Sequence, residues 1–133
     1  MRLILTLVAL FIAMPSWAID TSQWIEVKGG DWHPSREALT ELDAALPAAL
    51  LRASVGKGSP IPWTKYRFQY QGQSAWFGNH YVRINALCQR EGTSDQLLAT
   101  EWVKALDGGT CYFSAKFDPT SHRIFDVEVN GLS

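Results

Sequence analysis

The sequence predicts an α+β fold, with one antiparallel sheet of five or six strands wrapped around a single helix in the order β-α-β-β-(β)-β-β. Three observations carry that class. Residues 34–54 space their apolar side chains by three, four and seven, the segments around them alternate with a period of two, and Gly, Pro, Asn and Asp mark the breaks.

The chain opens with a segment that reads as an export leader. Arg2 supplies a positive start, Leu3 to Met14 form an apolar run, and Ser16 and Ala18 stand at the −3 and −1 positions of a small-x-small cleavage site. That run is shorter than the ~20 residues a spanning helix needs. The expected domains are therefore a signal peptide at 1–18 and a single α+β domain at 19–133. From Ile19 onward 115 residues remain, enough for one core. They carry 11 Lys+Arg against 13 Asp+Glu, a near balance that argues against a nucleic-acid binder.

Gln23 to Lys28 alternates and stops at Gly29-Gly30, which predicts a first strand. In the helix over 34–54, Leu39, Leu42, Leu46, Ala49, Leu50 and Ala53 share one face. Pro34 suits its first turn and Glu37 its positive end, whereas Pro47 deletes a hydrogen bond and predicts a kink or a split. Val55 to Pro62 is a Gly/Pro-rich connection. In the strand Trp63 to Gln71, Thr64, Tyr66, Phe68 and Tyr70 point inward, and Trp63, Lys65, Arg67, Gln69 and Gln71 point outward.

The strand His80 to Cys88 turns Val82, Ile84, Ala86 and Cys88 to the core, leaving Tyr81, Arg83, Asn85 and Leu87 opposite. Thr110 to Phe117 directs Cys111, Phe113, Ala115 and Phe117 inward and Tyr112, Ser114 and Lys116 outward. After a turn at Asp118 to Ser121, Phe125, Val127 and Val129 face the core, with Ile124, Asp126 and Glu128 outside. Between these strands, residues 89–109 admit two readings. Either Ser94 caps a short helix through Leu97, Leu98, Trp102 and Leu106, or Trp102 to Leu106 is a strand turning at Asp107-Gly108-Gly109. The hairpin is the preferred of the two.

The chain's two cysteines, Cys88 and Cys111, fall on the apolar face at the end of one strand and the start of another. Antiparallel neighbours would set those ends side by side, and in an oxidising compartment such a pair reads as a disulfide. A loop of that length is worth roughly 3 kcal/mol.

The strand–helix–meander order, over residues 23–131, resembles the cystatin-like layout and that of the nuclear transport factor 2-like and ketosteroid isomerase group. Ile84-Asn85-Ala86-Leu87-Cys88, Asp107-Gly108-Gly109-Thr110-Cys111-Tyr112-Phe113 and Val129-Asn130-Gly131 are similar to a group of small exported bacterial proteins of unassigned function. That likeness implies a compartment and a cysteine pair, and no activity. Cystatin inhibitors carry Q-x-V-x-G in a hairpin. Here the turn reads Gln69-Tyr70-Gln71-Gly72-Gln73, and Pro62-Trp63 precedes the wrong strand, so thiol-protease inhibition is not supported.

No constellation names a reaction. His33, His80 and His122 lie near element ends without metal-ligand spacing, no G-x-S-x-G elbow or phosphate loop occurs, and no metal or cofactor is expected. Glu37 and Glu41 share a solvated helix face. The outward sheet face mixes cations and aromatics: Trp63, Lys65, Arg67, Tyr81, Arg83, Tyr112 and Lys116 are the candidate binding residues. The reading that follows is a periplasmic or secreted binding module, an inhibitor or immunity-type partner of an envelope enzyme or toxin. Its partner is another envelope or extracellular protein, with no nucleic acid and no stable membrane insertion after processing. The alternative is a small enzyme or ligand carrier with a pocket between helix and sheet. Intact mass should show a chain starting at Ile19 and lighter by two thiol hydrogens; a retained leader, or two alkylatable thiols without reductant, contradicts it.

Overall fold

The computed structural model describes residues 19–88 and 93–131. The expected leader and residues 89–92 lie outside them. Along the chain run β1 (Trp24–Glu26), α1 (Arg36–Ala53), β2 (Tyr66–Ser74), β3 (His80–Cys88), α2 (Asp95–Thr100), β4 (Tyr112–Asp118) and β5 (Arg123–Val129). The strands form one sheet in the order β1-β2-β3-β4-β5. The α+β class and the single main helix are as the sequence predicts.

The sheet is mixed rather than antiparallel. β1 pairs with β2 in parallel, Trp24 opposite Phe68 and Glu26 opposite Tyr70, while the later pairs are antiparallel. The reason is the connection: α1 carries the chain back along the sheet, and a helical crossover returns it parallel to the strand it left.

α1 begins where Ser35 accepts a hydrogen bond from the Ala38 amide, so Pro34 stands just outside the first turn. The helix runs unbroken through Pro47 to Ala53, which corrects the expected split. Pro47 is exposed, and Leu46, Ala49 and Leu50 on either side of it are buried against the sheet, so packing bridges the missing bond. Leu39, Leu42, Leu46 and Leu50 meet Tyr66, Phe68, Val82, Ile84, Phe113 and Phe117 in one core, and burying each leucine contributes about 2 kcal/mol. Asp43 clamps this layer: its Oδ1 accepts from Trp24 Nε1 at 3.1 Å and Trp63 Nε1 at 3.2 Å.

Trp63 to Lys65 form a 3₁₀ turn, not the start of a strand. Trp63 consequently swings to the helix side, 4.9 Å from the Phe68 ring, and Thr64 is exposed instead of inward. A similar turn over Gly109–Cys111 delays β4 to Tyr112. Leu87 pairs with Tyr112, which sets Cys88 beside Cys111 at disulfide distance, their Cα atoms 5.1 Å apart.

The pair brackets the stretch the sequence left open. Ser94 caps α2 by accepting from the Leu97 amide, and Trp102 to Leu106 is not a strand, so the preferred hairpin is wrong. This strap lies over the outer face of the sheet. Leu98 is fully buried beneath it, and Gln69, expected in solvent, is 0% exposed. Its Nε2 donates to the carbonyls of Leu98 (2.9 Å) and Glu101 (2.5 Å), and its Oε1 accepts from Asn85 Nδ2 (2.8 Å) and the Val103 amide (2.9 Å). Gln71, also expected outside, is buried and donates to the Lys28 carbonyl at 2.8 Å.

In β5 the alternation slips. Ser114 pairs with Glu128 and Lys116 with Phe125, so β5 holds one extra residue, and Asp126 adopts φ 49°. This bulge puts Ile124 and Val127 against the core and sends Phe125 to the outer face, reversing the expected sides of Ile124 and Phe125. Gln69→Leu should lower stability by about 3 kcal/mol or more in urea denaturation, because it strips partners from buried groups of the strap. A loss below 1 kcal/mol would show that the strap is held by other means.

Candidate functional site

The seven candidate residues divide. Trp63 faces the helix, as described. Lys65 sits exposed in the 3₁₀ turn before β2. The Arg67 side chain is only 11% exposed and its Nη2 is bound to Asp95 at the start of α2, so the strap occupies it. Tyr112 lies at the far end of β4, where its ring occupies the space beside Gly108, whose φ of 98° a side chain would strain. The structure does not bring these four to one surface.

Tyr81, Arg83 and Lys116 do come together. Arg83 on β3 stands directly opposite Lys116 on β4. Two cations in that register repel, and each finds separate relief. Arg83 lies over the Trp102 ring, 4.1 Å from its centroid. Lys116 reaches Asp126 at 3.2 Å and stands 5.6 Å from the Tyr81 ring centre. Phe125 meets the Tyr81 ring edge-on at 6.4 Å, and the Tyr81 hydroxyl donates to Gln73 Oε1 at 2.7 Å. The result is a partly exposed patch of two cations with three aromatic rings beside them, set between the strap and the bulged strand. Trp102 and Phe125 escape a reading by alternation. One belongs to a segment read as a hairpin strand that is not one, and the other is turned outward by a bulge whose only sequence sign is Asp126, a residue type that tolerates positive φ.

Between helix and sheet, the leucines of α1 pack on the aromatic and aliphatic side chains of β2, β3 and β4. A cleft of about 300 Å³ opens at the opposite end from the β2–β3 turn, lined by Asp20, Ser22, Gln23, Thr64, Tyr66, Arg67 and Asp95. Its cation is already engaged by Asp95, although Arg67 Nε is buried without a partner among the described residues. Hydrogen bonds from Ser22 hold the Asp20 carboxyl below its ordinary range. Among the described residues no three His, Cys, Asp or Glu side chains group as metal ligands. No helix among them is long and apolar enough to cross a membrane.

At the β2–β3 end, Glu26 bonds the His33 ring and lies 3.4 Å from the Tyr70 hydroxyl. Burial, then the nearby Glu26 charge, pushes Tyr70 up from 10.0 to about 12. His122 pairs with Glu41 at 2.6 Å, and the Trp32 ring stacks on His80 at 5.0 Å. Two of the three histidines are thus tied to carboxylates, and the third stacks on Trp32.

No family model matches the chain, and no solved structure matches it. It is 28% identical over 113 residues to the methionine–tRNA ligase of Thermobifida fusca (strain YX), a match covering 82% of this chain. The chain spans 18% of that protein's length.

Tyr70 yields a pH prediction. Unfolded, it releases its proton from about 10 upward, whereas folded it keeps the proton to about 12. The native state then binds more protons over that interval, so stability should fall as pH rises through it. Denaturation at stepped alkaline pH should show a shallower fall for Tyr70→Phe; an unchanged slope would assign the effect to other groups.

Proposed function

We propose that the chain is an exported binding module that engages an acidic surface of another envelope or extracellular protein through Tyr81, Arg83, Trp102, Lys116 and Phe125. The observation that carries this reading is the Arg83–Lys116 pair. Opposed cations cost the sheet, and a carboxylate-bearing partner would turn that cost into attraction. Trp, Tyr and Arg are also the side chains that most often anchor interfaces. Arg83 stacked on Trp102 is held in place before binding, which limits the ordering a partner must impose.

Periplasmic or secreted location, and a role as inhibitor or immunity-type partner of an envelope enzyme or toxin, belong to the same proposal. They rest on the leader-like residues 1–18, the cysteine pair and the small single domain. The order of one strand, one helix and four strands is the ground for relating it to the cystatin-like layout and to small exported bacterial proteins. No ligase activity is proposed, since the likeness covers only 18% of that enzyme.

The test is capture from envelope extract with the partner identified by mass spectrometry. Arg83→Gln and Lys116→Gln, which keep most of each stem, should each weaken capture of the identified protein at least tenfold with the melting temperature nearly unchanged. Glu37→Ala with Arg52→Ala on the helix should leave capture intact. Undiminished capture by the two sheet variants would remove the patch from function and bring the enzyme-or-carrier reading forward.

A further inference from the structure

The turn between β2 and β3 is expensive for the fold to keep. Trp76 is 88% and Phe77 100% exposed, and neither ring stacks on another among the described residues. Phe77 adopts φ 66° and ψ 24°, and Gly78 follows at φ 75°. Two successive left-handed residues are the geometry that Asn-Gly fills at low strain, and a bulky aromatic in the first place is an outlier. Phe77 therefore costs the chain twice, in backbone strain and in apolar surface left in water.

The base of the turn is braced. The Ala75 amide donates to the Asn79 carbonyl at 2.7 Å, the Ser74 amide to Asp31 Oδ2 at 3.1 Å, and Trp32 Nε1 to the Gln73 carbonyl at 2.8 Å. Beyond it the Trp76 and Phe77 side chains stand out from the fold, and a side chain at Gly78 would meet no described atom within 4 Å. Gln73 to Asn79 carries no charged side chain. Of the carboxylates on this side, Asp31 accepts from the Ser74 amide and Asp118 stands opposite Arg123, so each is answered locally.

We infer that Trp76 and Phe77 are a membrane-docking tip that enters the interfacial zone of a zwitterionic phospholipid surface. A convex, rigid pair of aromatics needs no matching cleft in a bilayer, and its uncharged loop pays no charge desolvation there. Aromatic side chains settle at that depth. A tip without a cation has nothing to pair with anionic headgroups, so neutral ones suffice for it. The contact is peripheral and reversible, since two side chains are far less than a spanning segment. This site is separate from the Arg83–Lys116 patch and stands or falls independently of it. Together they would place a protein-binding face beside a lipid surface.

The experiment is vesicle co-sedimentation of the processed chain, residues 19–133, with phosphatidylcholine–phosphatidylethanolamine vesicles. Binding is expected, with at least tenfold weaker partition for Trp76→Ser and for Phe77→Asn. Phe77→Asn should also raise the melting temperature, so lost binding is not lost folding. Leu106→Ser, at an equally exposed apolar position near the other end, should partition like the wild type. Several results would overturn the inference: no sedimentation of the wild type, tip variants that sediment normally, binding that requires phosphatidylglycerol, or a photo-crosslinker at position 77 that captures protein and no lipid.

Discussion

The amide of Gln69 makes four hydrogen bonds, two given and two received, and the arrangement of the outer face depends on them. A primary amide offers two donors and an acceptor oxygen with two lone pairs, so this one is saturated. Its partners come from the strap and from β3. Through Gln69 a segment with little regular structure is bound to the middle of the sheet, with the Leu98 and Glu101 carbonyls and the Val103 amide paired. Asn130 repeats the device at the strap's far end, donating to the carbonyls of Ala105 (2.7 Å) and Asp107 (3.0 Å). The cysteine pair, at disulfide distance, brackets the same segment.

Everything proposed for the outer face follows from that strap. It occupies Arg67 through Asp95 and delivers Trp102 beneath Arg83. What stays accessible is a strip along β3, β4 and β5, where two cations share aromatic neighbours. The β2–β3 tip escapes the strap because it extends past the sheet's end.

Much of this was readable in advance, and the failures have particular causes. The leucine stripe of α1 and the alternation of β3 and β4 were legible because a half-buried element prints its period on the sequence. The cysteine pair followed from the same register. Gln69 and Gln71 were misplaced since amides in an alternating strand look solvent-facing, and only the strap's carbonyls, distant in sequence, reveal their burial. Trp63 misled because a 3₁₀ turn takes up the three residues before the strand. At the candidate site, Tyr81, Arg83 and Lys116 were found by alternation. Trp102 and Phe125 were not, as one is placed by tertiary packing and the other by a bulge.

That bulge has a consequence for how the protein behaves among copies of itself. β5 is an open edge of the sheet, and an open edge offers unpaired backbone groups to any passing strand. Asp126 at φ 49° twists the edge out of line, and Arg123, Asp126 and Glu128 load it with charge. Near its end, Lys57 Nζ caps the Val129 carbonyl at 2.6 Å. The opposite edge, β1, is three residues long, and past its end the Lys28 amide is already bonded to the Ala99 carbonyl. A sheet guarded at both margins in this way resists edge-to-edge growth, so crowding gives these molecules a poor template for fibrous association.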